Sequence, residues 1–214
     1  MPGSSVVVVA CSVVCVSHTT GSGGDEVGKQ VAERLGYLYV DEDIVARAAA
    51  AGGLEPGDIA DEERRKSYVG RLLDALAQGG GDAWTLATTA AVEVVRPEDV
   101  RALIRETVAQ TAARGNVVIV AHAASHLLDP GPHMLRVFVT ASPATRQKRV
   151  ATTDQLDEAR AGRTIKDSDA GRRNYLKRFY SVDSEAPTDY DLVVNTDLLS
   201  TEQAAEIVLR AADR

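Results

Sequence analysis

The stretch Cys11-Ser12-Val13-Val14-Cys15-Val16-Ser17-His18-Thr19-Thr20-Gly21-Ser22-Gly23-Gly24 decides how this chain is read. A β-branched run stopped by Gly-Ser-Gly-Gly is a buried strand that hands the chain, through a turn of small residues, to a helix N-terminus. Exposed backbone N–H groups and the helix dipole there favour an anion. The helix follows at once, because Val27, Val31 and Leu35 recur at four-residue spacing through Asp25 to Leu35, and Gly36 closes the segment. In loops of the G-x-x-x-x-G-K-[ST] kind a lysine reaches the phosphates. Gly24 stands in its place here. A literal G-x-x-x-x-G-K does occur at Gly23 to Lys29, but that frame puts Asp25 and Glu26 into the cradle and cuts the helical spacing. Lys29 is therefore read as a solvated helix residue.

Working outward, Tyr37 to Val40 is a short strand ending at Asp41, and Glu42 to Ala51 is alanine-rich and helical up to Gly52-Gly53. From Leu54 to Pro97 the character changes to clustered charges, glycines and helical apolar spacing, which predicts a helical insertion with Trp84 as a packing anchor. Glu98 to Arg114 has helical spacing and ends at Gly115-Asn116, before the buried strand Val117 to Val120. Leu135 to Thr140 is another strand, and Ser142-Pro143 starts a basic helix that carries Arg146, Lys148 and Arg149. Leu192 to Asn195 is the last strand, and Ser200 caps a closing amphipathic helix through Ala212. Continuous apolar strands alternating with helices predict a parallel sheet covered on both faces, with ligands beyond the strand C-terminal ends.

The 214 residues suit one α/β domain, and a net charge of -7 argues against nonspecific binding to nucleic acid or an anionic membrane. Cys11 and Cys15, four apart in one run, would share a face of a strand without disulfide geometry, so a reduced, cytoplasmic protein is expected. The run Val6 to Val16 is too short to span a bilayer, and no Lys or Arg precedes it.

The segments S-H-T-T-G-S-G-G, V-A-E-R-L-G-Y-L-Y-V-D, N-V-V-I-V-A-H-A-A, L-R-V-F-V-T-A, D-A-G-R-R-N-Y and Y-D-L-V-V-N-T resemble, in order and spacing, the cytidylate-kinase-like family. The resemblance covers nearly the whole chain outside the insertion. It implies the P-loop nucleoside-monophosphate-kinase fold: a three-layer α/β sandwich around a five-stranded parallel sheet of order 2-3-1-4-5, with a helical insertion at 54–97 and a lid at about 153–180. It also implies transfer of the terminal phosphate of a nucleoside triphosphate, ATP with Mg²⁺, to a nucleoside monophosphate or similar small acceptor.

On this reading Thr19, Thr20, Gly21, Ser22, Gly23 and Gly24 cradle the donor phosphates, and Asp41 with Arg47 engages the acceptor. Arg172, in D-x-x-R-x-x-Y, matches the lid arginine that stabilises transferred charge, with Arg163, Arg173 and Arg178 as helpers. Relatives usually carry arginine in S-R-x-x-G-S-G-G-R and in the G-R-G after the third strand; here those positions are His18, Asp25 and His122. His18 and His122 are the remaining candidates for charge near the reaction, because imidazole is cationic only when its surroundings hold the proton. Loss of three cations also supports an alternative, a non-catalytic nucleotide- or anion-binding protein acting as sensor or scaffold. A lesser alternative is a transition-metal site at His18, His122 and His126, with Asp41 or Asp25. No nucleophile constellation is present, since Ser17 and Ser22 sit in no G-x-S-x-G turn. A homodimer through the insertion stays open.

Overall fold

The computed structural model describes residues 11–41, 97–120, 124–183 and 185–213, and elements are numbered within those stretches. The quoted run becomes β1, Val13–His18, followed by α1, Gly24–Leu35, and β2, Leu38–Asp41. Then come α2, Pro97–Arg114; β3, Val117–Val120; a short α3, Ala124–Leu127; and β4, Met134–Thr140. The rest is α4, Pro143–Thr153; α5, Glu158–Tyr180; β5, Leu192–Asn195; and α6, Thr201–Ala212. Every ladder is parallel, and the five strands lie in the order β2-β3-β1-β4-β5, as expected.

β1 is central: Val13 to Val16 pair with Val117 to Val120 of β3, and Val13 to His18 pair with Met134 to Val139 of β4. Strand order reverses around β1, so the loop leaving it opens into the crevice where such sheets bind ligands. One sheet face, with Val14, Val16, Val118, Val120, Leu135, Val137, Val139 and Val194, packs on Val27 and Val31 of α1 and Ala204, Ala205 and Val208 of α6. The other face carries Ser17, which shares a hydrogen bond with Ser125 of α3, and Phe138, which lies under Arg172 of α5. Both faces are thus covered, as continuous apolar strands require.

The helix starts follow their sequence signals. Ser142 accepts from the Thr145 N–H with Pro143 in the first turn, and Ser200 forms a capping box with Gln203. Each such cap contributes about 1 kcal/mol. Gly36 ends α1 in the left-handed region at φ 67°, and Lys29 is exposed, 5.9 Å from the Tyr39 ring. α5 is one continuous helix whose Ala161 and Ile165 pack on Val150 of α4.

The cysteines differ from expectation in one respect. Cys11 precedes β1 and joins the α1/α6 layer with Val14 and Val16, whereas Cys15 lies within β1 and alternates with them. Both are buried and in no disulfide among the described residues, and burial pushes the Cys15 thiol up to about 12. No helix among the described residues is long and apolar enough to cross a membrane. The insertion, with Trp84, lies outside the described residues except Pro97, which opens α2.

Candidate phosphate-binding site

The loop from Thr19 to Gly24 is shaped by where its hydrogen bonds go. The Thr19 N–H continues the ladder to the Val139 carbonyl at 3.2 Å, the Ser22 N–H turns back to the Thr19 carbonyl at 3.0 Å, and the Gly23 carbonyl accepts the first helical bond from Val27. Gly21 and Gly23 adopt φ 80° and 81°, the left-handed region that a side chain disfavours. Ser22 is fully buried, and its hydroxyl donates to the Val139 carbonyl at 3.1 Å.

The loop carbonyls are held by groups more than a hundred positions away in sequence. Arg149 donates to the carbonyls of Gly21 (3.4 Å) and Ser22 (3.2 Å) and to Thr196, through both its hydroxyl (2.9 Å) and its carbonyl (2.6 Å). The Thr196 hydroxyl donates to the Ser22 carbonyl at 2.7 Å. Arg146 reaches the Thr20 carbonyl at 3.4 Å and is fixed by two bonds to Asp169, at 2.9 and 2.7 Å. The Thr20 hydroxyl shares a 2.6 Å bond with Ser168 of α5. In a trans peptide the C=O and the following N–H point opposite ways, so carbonyls drawn toward the arginines turn amides away from them. The N–H groups of Gly21, Gly23 and Gly24 meet no acceptor among the described residues. Convergent free amides beside a helix N-terminus form an anion-binding nest.

His18 ends β1 and lies against Gly24. A Cβ built on Gly24 would stand 2.2 Å from the His18 Cβ and 2.4 Å from its Cγ, so close approach of the strand end excludes any side chain at position 24. The His18 Nε2 then meets the Asp25 carboxylate at 3.1 Å. Two of the three positions at which cations were missed are thus paired with each other. The third, His122, and the acceptor-side Arg47 lie outside the described residues. Asp41 is half-buried at the end of β2, opposite Val120.

Arg172 reaches the loop, but as a buried group. Its guanidinium is bidentate to Glu185 (2.6 Å for each bond), donates to the His18 carbonyl at 3.2 Å, and stacks over Phe138 at 5.5 Å. The Tyr190 hydroxyl also donates to Glu185, and its ring stacks on Phe138 at 4.9 Å. Burial works against the Glu185 charge, yet the Arg172 and Tyr190 bonds outweigh it and hold the carboxyl below its ordinary range. Burial and the adjacent carboxylate raise the Tyr190 phenol. Arg163 and Arg173 are exposed, and the Arg178 side chain lies outside the described residues.

His126 sits 6.3 Å from Tyr180 and 6.0 Å from Tyr190, ring to ring. Its Nε2 is enclosed with no hydrogen-bond partner among the described residues, and burial, helped by Arg172 and Arg136, lowers its basicity. Among the described residues no three His, Cys, Asp or Glu side chains gather as a metal site. Sequence reasoning missed Glu185, which lies in no motif, and gave no role to Asp169 and Thr196, although both lie in the quoted segments D-A-G-R-R-N-Y and Y-D-L-V-V-N-T. The three-residue spacing of Arg146 and Arg149 after Ser142-Pro143 was a legible signal, since it puts both on one helix face beside β1.

Sheet order and phosphate loop together define an α/β protein of the P-loop kinase fold. The chain belongs to the cytidylate kinase-like family, which it matches over residues 13–198. A cytidylate kinase of Roseiflexus castenholzii is 28% identical, the match covering 96% of this chain and 95% of that protein. One from Ignicoccus hospitalis is 27% identical over 93% of this chain and 98% of its own. In the crystal structure of an uncharacterized protein from Eubacterium ventriosum the same fold recurs, with TM-score 0.59 and 16% identity, over 94% of this chain and 98% of that one.

Proposed function

We propose that this protein is a nucleotide-dependent kinase that moves the terminal phosphate of a nucleoside triphosphate to a nucleoside monophosphate, cytidylate first among the candidates. The observation that carries this is the set of free amides at Gly21, Gly23 and Gly24, in a loop whose carbonyls are tied back by Arg146, Arg149 and Thr196. Such a loop is preorganised for phosphate oxygens, and phosphoryl transfer is mostly positioning and charge stabilisation.

In this reading residues 19–24 cradle the donor phosphates, and Asp41 with Arg47 holds the acceptor. His18 and His122 stand where relatives have arginine. Arg172 acts through the loop: its bond to the His18 carbonyl fixes the strand end while Glu185 holds it in place. Mg²⁺, entering with ATP, would shield phosphate charge and be held mainly through phosphate oxygens and water.

The test is phosphate transfer by purified protein from ATP to CMP, UMP and dCMP with Mg²⁺, read as ADP release and product nucleotide. CDP formation supports the reading. Saturable ATP binding with no transfer to any monophosphate reduces the protein to a nucleotide binder, and absence of binding removes the nucleotide role.

A further inference from the structure

Resting on that reading, the amides of the nest divide by what holds each of them. The peptide joining Ser22 to Gly23 is fixed firmly: its carbonyl accepts from the Thr196 hydroxyl at 2.7 Å and from Arg149 at 3.2 Å, which points the Gly23 N–H the other way. The peptide joining Thr20 to Gly21 has no such pair of donors. Among the described residues its carbonyl accepts only from Arg146, at 3.4 Å, beyond the usual N–H···O range of about 2.7–3.2 Å. Yet the Gly21 N–H must be aimed as closely as the Gly23 N–H if both are to meet phosphate oxygens. Gly21 itself rests against the α4 backbone, since a Cβ built on it would stand 2.8 Å from the Arg146 carbonyl oxygen.

What completes the hold on Thr20 comes from α5, where the Ser168 hydroxyl shares a 2.6 Å bond with the Thr20 hydroxyl. We propose that Ser168 is a positioning residue for phosphate transfer, its bond to Thr20 setting the direction of the Gly21 amide toward the donor phosphate. Thr20 is gripped on two sides from consecutive residues of one helix. Ser168 takes its hydroxyl, and Asp169 fixes the Arg146 that reaches its carbonyl. Arg172, four residues after Ser168 and so on the same face of α5, bonds the His18 carbonyl two residues before Thr20. Both hydroxyls are half-buried, so water does not fully replace a bond lost between them. The Gly21 amide therefore follows α5, whereas the Gly23 amide follows α4 through Arg149 and the end of β5 through Thr196. Ser168 touches no phosphate in this scheme; it acts through Thr20. It also lies one residue before the segment D-A-G-R-R-N-Y, so the family resemblance gives it no role.

The experiment follows the Gly21, Gly23 and Gly24 amide resonances of the isotope-labelled full chain by NMR, together with calorimetric affinity for ADP in excess Mg²⁺. Ser168→Ala should displace the Gly21 resonance clearly more than those of Gly23 and Gly24, and weaken ADP binding about fivefold. Thr20→Val, which removes the other hydroxyl, should do the same. The double variant should be no worse than either single one, because each change removes the same bond. Ser168→Thr, which keeps the hydroxyl, should restore both the resonance and the affinity. Losses that add in the double variant, or Gly23 and Gly24 resonances that move as far as Gly21, would show the pair merely bracing the whole loop and overturn the proposal. An unmoved Gly21 resonance in Ser168→Ala overturns it too, as does unaltered ADP affinity where wild type binds. If wild type binds no ADP, the nucleotide-kinase reading itself falls, while the resonances of the free protein still decide whether Ser168 aims the Gly21 amide.

Discussion

At the scale of single residues, the glycine that replaces the phosphate-loop lysine follows from packing. The end of β1 brings the His18 Cβ to where a Cβ of residue 24 would sit, and both ends of that contact are close to the main chain. A side chain at position 24 must therefore move backbone. Gly24→Ala is expected to cost about 1–3 kcal/mol in urea unfolding, the usual range for an overpacked site. Removing the opposing Cβ as well, in Gly24→Ala with His18→Gly, should recover part of that loss even though glycine at 18 is itself unfavourable in a strand. A double variant no more stable than Gly24→Ala alone would sink this account. Thr196 makes a second residue-scale claim. Thr196→Val removes the hydroxyl that donates to the Ser22 carbonyl, so nucleotide affinity should fall about tenfold while the fold persists.

At the scale of elements, α5 is fastened to the sheet by Arg172, Glu185, Tyr190 and Phe138 acting together. Arg172→Ala or Glu185→Ala leaves a charge buried and unpaired, a loss of about 3–5 kcal/mol in denaturant unfolding. Replacing both partners by Met and Leu should cost clearly less than either single change. Acid should act on this cluster in two stages. His126 is a weaker base in the fold than in the open chain, so its contribution is complete above the unfolded value of about 6.5 and declines as pH falls through it. Glu185 is a stronger acid in the fold, so its contribution is lost only lower, as pH drops from about 4.3 toward its depressed value. Urea midpoints at pH 7.5 and 5.5 should converge in His126→Phe relative to wild type. An unchanged gap would assign the acid loss elsewhere. This cluster is also where sequence reading fell short. Arg172 was found by its motif, but nothing local says that Glu185, thirteen residues on and beyond the turn at Ser181, will claim it.

At the scale of the whole molecule, the strands and the loop were legible because each rests on a local signal, β-branched runs, capping residues and glycines, whereas the strand order came from the family resemblance. The bonds that give the loop its shape were not, since they join residues more than a hundred positions apart, such as Gly21 with Arg149 and Ser22 with Thr196. A ligand seated in the loop should therefore stabilise the entire α/β unit. ADP with Mg²⁺ at a hundred times its Kd should add about 2.7 kcal/mol, read as a rise in melting temperature of about 5–10 °C. A smaller shift at confirmed saturation would mean that the loop melts independently of the sheet. The same long-range stitching has a temporal side. A ribosome releases the glycine turn first, Arg149 much later and Thr196 later still. A growing polypeptide thus carries the glycine turn before it carries the side chains that shape it, and on the proposed function the anion nest is complete only once Thr196 has been made.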